Sequence, residues 1–289
     1  MMDVGKGLFE RPRLWPVVLS CVAAFVTIVA FSFVAVAVVR SLYPDLPDRA
    51  ALESLPGLLA GSIASSVAFV LTALIASGSA APAALRLVPG RETGRTLLLA
   101  IVGMLALGQT LDSLIVLAGL AQHGNILLIR QALAQATGPD LFLAVLVVGV
   151  LAGSAEEIFF RGYMQSRLVQ RLPRGVAVLV TAFCFGVFHL DWLHGLLALI
   201  LGVYLGWLTE LTGSALPAVV CHVVNNALFT ILTASWGAVE GLQVNVALGA
   251  AAAVVFAATV LILRTTPAAA PESAWLSSVA LRVWKRLRR

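Results

Sequence analysis

Eight long apolar stretches run through the 289-residue sequence and restrict its fold more strongly than any single motif. A helix that crosses a bilayer needs about 20 apolar residues, and most of these stretches approach or exceed that length. The sequence therefore predicts an all-α fold: a polytopic transmembrane helical bundle of about eight spans. The predicted spans cover roughly 14–39, 55–77, 96–121, 141–163, 176–193, 195–211, 214–235 and 241–263.

The composition also indicates that lipid is the solvent of this chain. Hydrophobic residues make up 60% of it and charged residues only 11%, whereas soluble domains carry about 25% charged residues. Such a chain has too few polar groups to cover a water-facing surface. The net charge of +5 does not predict a nucleic-acid partner, because the basic residues lie in short clusters between apolar stretches, as membrane orientation requires.

The positions of the basic residues predict an orientation in the membrane. If the N-terminus lies inside, all but three of the 19 Lys and Arg residues fall in inner segments, the exceptions being Arg40, Arg49 and Arg130. An excess of Lys and Arg marks cytoplasmic segments. We therefore expect a multi-pass protein with both termini in the cytoplasm. The Ala-, Val- and Leu-rich composition without an organelle signal favours a bacterial plasma membrane.

The C-terminal tail differs from the rest of the chain. Residues 1–271 are predicted to form a single transmembrane bundle, and residues 272–289 a basic amphipathic helix that lies on the anionic inner leaflet. A disordered basic tail is the alternative. The helical interpretation depends on apolar residues that recur every four positions, at Trp275, Val279, Val283 and Leu287.

Two adjacent carboxylates follow a long apolar run in the fourth span, where ionisable groups are costly and mark functional candidates. Glu157 and Arg161 are four residues apart and share a helical face, in the order that favours an ion pair. Glu156 is rotated by about 100° from that face. It is therefore expected to face a cavity and to act as a general base. The alternative is a helix end with ordinary interfacial charges.

Two histidines occur in later spans, each four residues from a potential partner. Phe185 can form a wall beside the imidazole of His189. His222 and Asn226 share a helical face and can both donate hydrogen bonds into one cavity, as an oxyanion hole requires. Both can also bind a metal ion. The alternatives are a core histidine with a satisfied hydrogen bond and polar packing between helices.

Together, the three sites resemble the CPBP family of intramembrane proteases, which includes the CAAX prenyl endopeptidases of the Rce1 type and the bacterial Abi proteins. The pattern is Glu-Glu-x3-Arg, then Phe-x3-His, then His-x3-Asn, each on its own span. The resemblance implies a family-like catalytic core at about residues 140–235. It also implies an intramembrane endopeptidase that hydrolyses a peptide bond with a Glu-activated water in a cavity between transmembrane helices.

The resemblance implies a role for each motif residue. Glu156 would activate the attacking water, aided by His189, and His222 and Asn226 would stabilise the tetrahedral oxyanion. The ion pair within the first motif would support these groups. The partners implied are the lipid bilayer and a peptide or membrane-protein substrate, with or without a lipid group.

Two interpretations of the cofactor stay open at this point. In the one we favour, no cofactor takes part and the site works as a glutamate-type protease. In the other, Glu156, His189 and His222 hold a divalent metal such as zinc. Zinc is not compelling from the sequence, because no single helix carries the His-Glu-x-x-His pattern.

A non-enzymatic function is the rival hypothesis. A membrane scaffold or immunity protein would use the same cavity to bind a partner, and a transporter is a third interpretation, although the chain lacks an obvious repeat. Among the other polar residues, Asp112 is expected to hold helices together. Asp191 and His194 are expected to be solvated near an outer turn.

A site shared by Glu156 and His189 requires the two residues to lie at similar depths in the membrane. If the fourth span ended near Arg161, Glu156 would lie only about 8 Å from the inner surface and His189 about 21 Å from it, at 1.5 Å per residue. The two could not then meet. We therefore predict that the fourth helix runs on to about Arg167, with Arg161 buried against Glu157.

Overall fold

The computed structural model of the protein describes residues 13–45, 47–134 and 136–265, and all regular structure in these ranges is helical. This confirms the predicted all-α class. The predicted amphipathic helix at 272–289 lies outside the described residues.

Ten helices, together with a short 3₁₀ turn at Pro82–Leu85, make up the described part of the chain. Two of them, α2 and α5, are short helices in connecting segments that the sequence did not predict. In chain order they are α1 (Trp15–Leu42), α2 (Asp48–Glu53), α3 (Leu55–Ser77), α4 (Gly94–Leu117), α5 (Gly124–Leu133), α6 (Gly138–Leu168), α7 (Arg174–Val187), α8 (Trp192–Thr212), α9 (Leu216–Trp236) and α10 (Leu242–Thr265).

Seven of the helices in the described chain are long and apolar enough to cross a membrane, namely α1, α3, α4, α6, α8, α9 and α10. The predicted fifth span corresponds to α7, which has 14 residues. At 1.5 Å per residue it is about 21 Å long, shorter than the hydrocarbon core of about 30 Å. The protein is thus a multi-pass membrane protein, and its described residues include seven helices long enough to span the bilayer and one shorter apolar helix.

Helix α6 is longer than the predicted fourth span and ends at Leu168, one residue beyond Arg167. This confirms the extension that the shared site requires. Two π-helical segments, Val145–Ala152 and Ile158–Gln165, flank the short α-helical piece Gly153–Glu157 that carries the two carboxylates. π-helical turns are rare and occur frequently at functional sites.

Close packing of α6 against α8 depends on two glycines of α8. Arg161 Nη2 donates to the carbonyl oxygen of Gly202 at 3.0 Å, and Gln165 Nε2 donates to that of Gly206 at 2.9 Å. The four-residue spacing of the donors on α6 thus matches the four-residue spacing of the acceptors on α8. Small residues allow this approach of helix backbones.

We expect Gly202→Ala to lower the free energy of unfolding by about 1–3 kcal/mol, the usual cost of overpacking. A Cβ atom at this position would lie 3.0 Å from Arg161 Nη2 and 3.1 Å from a ring carbon of Phe185, both buried. Gly61→Ala is the matched control, because a Cβ there meets no atom within 4 Å. Unfolding of the purified variants in detergent measures both. Equal stability of the two variants would contradict the packing described.

Candidate active site

A cavity of about 880 Å³ lies within the bundle, and the four residues of the predicted catalytic set line it. They are Glu156, His189, His222 and Asn226. The structure thus brings residues from α6, α9 and the turn after α7 to one cavity.

The ion pair predicted from spacing is present and fully buried. Arg161 Nη1 lies 2.6 Å from Glu157 Oε1, and both side chains have no exposed surface. Removing one member of such a pair leaves an uncompensated buried charge, which is strongly destabilising. The pair therefore provides a buried anchor adjacent to Glu156.

His222 links this anchor to the second carboxylate. Its Nδ1 lies 2.8 Å from Glu157 Oε1, and its Nε2 lies 3.6 Å from Glu156 Oε2. From the sequence we paired Glu157 only with Arg161, so its contact with His222 was not predicted. It comes from the packing of α9 against α6, where Gly153 lies beside the backbone of Val223.

The linked side chains of Glu156, Glu157, Arg161 and His222 include two carboxylates but only one permanently charged cation. Glu157 is paired with Arg161, while Glu156 has the imidazole of His222 as its neighbour. Buried charges need compensation. The cluster is neutral when Glu156 and His222 together hold one additional proton. This arrangement is suited to moving a proton between a carboxylate and a reacting group.

Phe185 is the aromatic centre of the site. Its ring centroid lies 4.9 Å from that of His189 and 5.8 Å from that of His222, both edge-on, and the guanidinium of Arg161 lies 4.7 Å from its centre. The prediction that Phe185 walls one side of the His189 imidazole is therefore confirmed. The ring holds two imidazoles and a cation in fixed relation to one another.

The hydrogen bond of His189 defines its tautomer. Its Nδ1 lies 2.8 Å from the carbonyl oxygen of Phe185. A carbonyl oxygen only accepts, so Nδ1 carries the proton. In the neutral ring, Nε2 is then an acceptor that can receive a hydrogen bond from water.

Asn226 is oriented by neighbours on both sides. Its Oδ1 accepts from Asn225 Nδ2 at 3.3 Å, and its own Nδ2 lies 3.5 Å from the carbonyl oxygen of Val148 in the first π-helical segment. An amide nitrogen carries two hydrogens. One contact to Val148 therefore leaves a second N–H for a bound group.

His194 is a cavity residue that the sequence analysis did not recognise. Its ring centroid lies 4.3 Å from that of His189, and it lines the cavity. The expectation that it is merely solvated is wrong. The connection between α7 and α8 is only four residues long, so the first turn of α8 packs back against His189. Asp191 caps this turn by accepting the backbone N–H of His194 at 2.8 Å.

Asp112 has a partner from a helix that the sequence did not predict. It forms an ion pair with Arg130 of α5, and both residues line the cavity. The pair joins α4 to α5, which agrees with the expectation that Asp112 holds helices together. No sequence pattern connects the two positions, because the contact depends on how α5 folds over the bundle.

The site does not present a ready-made set of metal ligands. In the ranges that the structure describes, no three His, Cys, Asp or Glu side chains are grouped so that they could hold a metal ion. The nitrogens of His222 face the two carboxylates of the Glu-Glu pair. Glu156, His189 and His222 thus line one cavity without forming a compact three-ligand site.

Comparison with known protein families identifies the segment that builds this site. Residues 138–228, about a third of the chain, match the family model described as type II CAAX prenyl endopeptidase Rce1-like. No curated protein and no solved structure matches the chain in the corresponding comparisons. The matched segment runs from the start of α6 into α9 and contains every residue of the three motifs. This segment of the chain is therefore similar to the Rce1-like family, as the motif pattern predicted.

Proposed function

We propose that the protein is an intramembrane endopeptidase in which Glu156 activates the attacking water. The observation that supports this most strongly is the placement of Glu156 on the cavity wall, 3.6 Å from His222 and one residue from a buried, neutralised carboxylate. One glutamate is thus locked in an ion pair while its neighbour is available to a water in the cavity.

The reaction follows from the properties of these groups. Glu156, with the Nε2 acceptor of His189 in the same cavity, removes a proton from a water as its oxygen attacks the peptide carbonyl carbon. Negative charge then develops on the carbonyl oxygen, where the Nε2–H of protonated His222 and the second N–H of Asn226 stabilise it. Glu156 returns the proton to the leaving nitrogen, the C–N bond breaks, and the products are a carboxylic acid and an amine.

The buried pair acts in this proposal through His222. Glu157 accepts from Nδ1 and so fixes the ring with its other nitrogen toward Glu156. Arg161 neutralises Glu157 and is itself held by the carbonyl oxygen of Gly202. Glu157 and Arg161 are therefore positioning residues.

A scaffold or immunity protein that only binds a partner in the cavity is the second candidate. The two are distinguished by comparing the protein termini in membranes that carry the wild type or Glu156→Gln at equal abundance. The proposal predicts new termini that occur only with the wild type. Identical sets of termini, with a partner captured equally by both proteins, would favour the scaffold.

We expect metal chelators to leave the peptidase activity unchanged, because the proposed steps use only side chains of the chain. Metal analysis of the purified protein should give much less than one equivalent per chain. One tightly bound zinc per chain, with activity lost on its removal and regained on its return, would contradict the glutamate-type mechanism and favour the metal alternative.

A further inference from the structure

The cavity extends from the proposed catalytic residues toward one end of the bundle. Many of its lining residues come from four helices, where they lie within 57–69 of α3, 105–115 of α4, 194–205 of α8 and 222–233 of α9. α3 and α4 run in opposite directions, as do α8 and α9. These four ranges therefore lie toward the same end of the molecule.

The connecting segments at that end also line the cavity. They include α2 through Leu52, α5 through Asn125 and Leu128, and the segment after α9 through Val239. The proposed catalytic side chains lie away from these segments, since Glu156 is 18 residues from the start of α6 and His222 is six residues from the opposite end of α9. The cavity therefore runs from the site toward the end formed by α2 and α5.

The opposite end of the bundle is closed by the segment that precedes α4. Backbone hydrogen bonds join Arg91 N–H to the carbonyl of Thr212 at 2.8 Å and Ala215 N–H to the carbonyl of Arg86 at 2.9 Å. Arg86 Nη1 also lies 2.6 Å from Glu210 Oε1. We call residues 86–91 the plug.

The plugged end carries most of the described arginines. Arg40, Arg49 and Arg130 belong to the cavity end, whereas the plugged end has the larger group: Arg13, Arg86, Arg91, Arg95, Arg167, Arg171, Arg174 and Arg264. This asymmetry is typical of a cytoplasmic face at the plugged end. The cavity end then faces the opposite side of the membrane.

We propose that the peptide substrate enters this cavity from the non-cytoplasmic side of the membrane. This inference rests on the proposed peptidase function and adds a substrate class to it. That class is an extended, mainly apolar segment of an exported or membrane-inserted protein, presented outside the cytoplasm.

The lining fits such a segment. Most of the lining residues are apolar, and polar groups are spaced along the wall at Ser32, Ser62, Ser65, Gln109 and Asn125. An extended peptide brings N–H and C=O groups that need partners once they leave water. Side-chain hydroxyls and amides at intervals meet that need, while the apolar wall accepts the side chains.

Cysteine accessibility tests the entry side without requiring activity. In a background with Cys21, Cys184 and Cys221 replaced by Ala, single variants Leu128→Cys at the mouth and Ser65→Cys within the cavity are treated in intact cells with a membrane-impermeant thiol reagent. Gly175→Cys is the control at the plugged end, where the residue is exposed and a Cβ meets no atom within 4 Å.

We expect Leu128→Cys and Ser65→Cys to react in intact cells, and Gly175→Cys to react only after the membrane is permeabilised. The reverse pattern would overturn the proposal. A second arm places the same apolar peptide segment on either side of the membrane in reporter proteins. Cleavage only of the outer reporter supports the proposal, and cleavage of the inner one overturns it. If the two cavity cysteines react from outside but neither reporter is cleaved, the peptidase function itself is refuted. Only the side on which the cavity opens is then supported.

Discussion

Glu156→Gln is expected to lower the turnover number by about 10²-fold or more, the scale of losing a general base. The amide keeps the size and planar shape of the carboxylate but cannot take a proton from water. KM should change little, because the interaction is lost mainly in the transition state. Steady-state cleavage of a validated peptide in vesicles measures both constants.

Glu53→Gln is the matched control for this experiment. Glu53 is another glutamate that lines the cavity, but it lies at the α2 end and not in the cluster around His222. We expect this variant to retain a turnover number within a few-fold of the wild type. A wild-type rate for Glu156→Gln, or equal losses in both variants, would show that the catalytic assignment is wrong.

Arg161→Met is expected to lower the free energy of unfolding by about 3–5 kcal/mol, the cost of leaving one member of a buried ion pair alone. Glu157 would remain fully buried with only His222 as a partner. The carbonyl oxygen of Gly202 would also lose its side-chain donor. Chemical unfolding of the purified protein in detergent measures the difference.

A second substitution isolates the ion pair from the loss of packing. Adding Glu157→Gln to Arg161→Met removes the stranded charge but keeps an acceptor for His222 Nδ1, so most of the lost stability should return. Arg167→Met, also on α6 but only part-buried and donating to the carbonyl of Ser77, should cost much less. If the double variant is no more stable than Arg161→Met, the cost lies in packing and not in the charge pair.

Local spacing predicted those parts of the site that a single helix determines. The pair Glu157 and Arg161 and the contact between Phe185 and His189 both follow from a four-residue separation, which places two side chains on one face. Apolar length predicted the full-length spans for the same reason, because it depends only on consecutive residues.

Helix depth extended this reasoning to one feature of tertiary structure. The need to bring Glu156 and His189 together implied that α6 continues to about Arg167, and the helix ends at Leu168. The predicted end of the helix was correct because a rise of about 1.5 Å per residue converts sequence separation into depth. The sequence carries no comparable signal for the π-helical segments around the carboxylates.

Contacts between distant helices could not be read from the sequence. The hydrogen bond between His222 and Glu157 joins residues 65 positions apart, and the edge-on contact of His194 with His189 depends on a tight turn after a short helix. The helix that carries Arg130 was missed because ten residues with mixed polarity resemble a loop. In each case, packing of the whole bundle decides the contact.

The proposed activity is hydrolysis of a peptide bond within the membrane by side chains of this cavity. Its most direct test is mass spectrometry of a defined peptide incubated in ¹⁸O-water with the purified protein in vesicles. The proposal predicts two fragments from the wild type, with ¹⁸O in the newly formed carboxylate, and an intact peptide with Glu156→Gln over the same time. An intact peptide with folded wild type, or the same labelled fragments formed equally fast by Glu156→Gln, would contradict it.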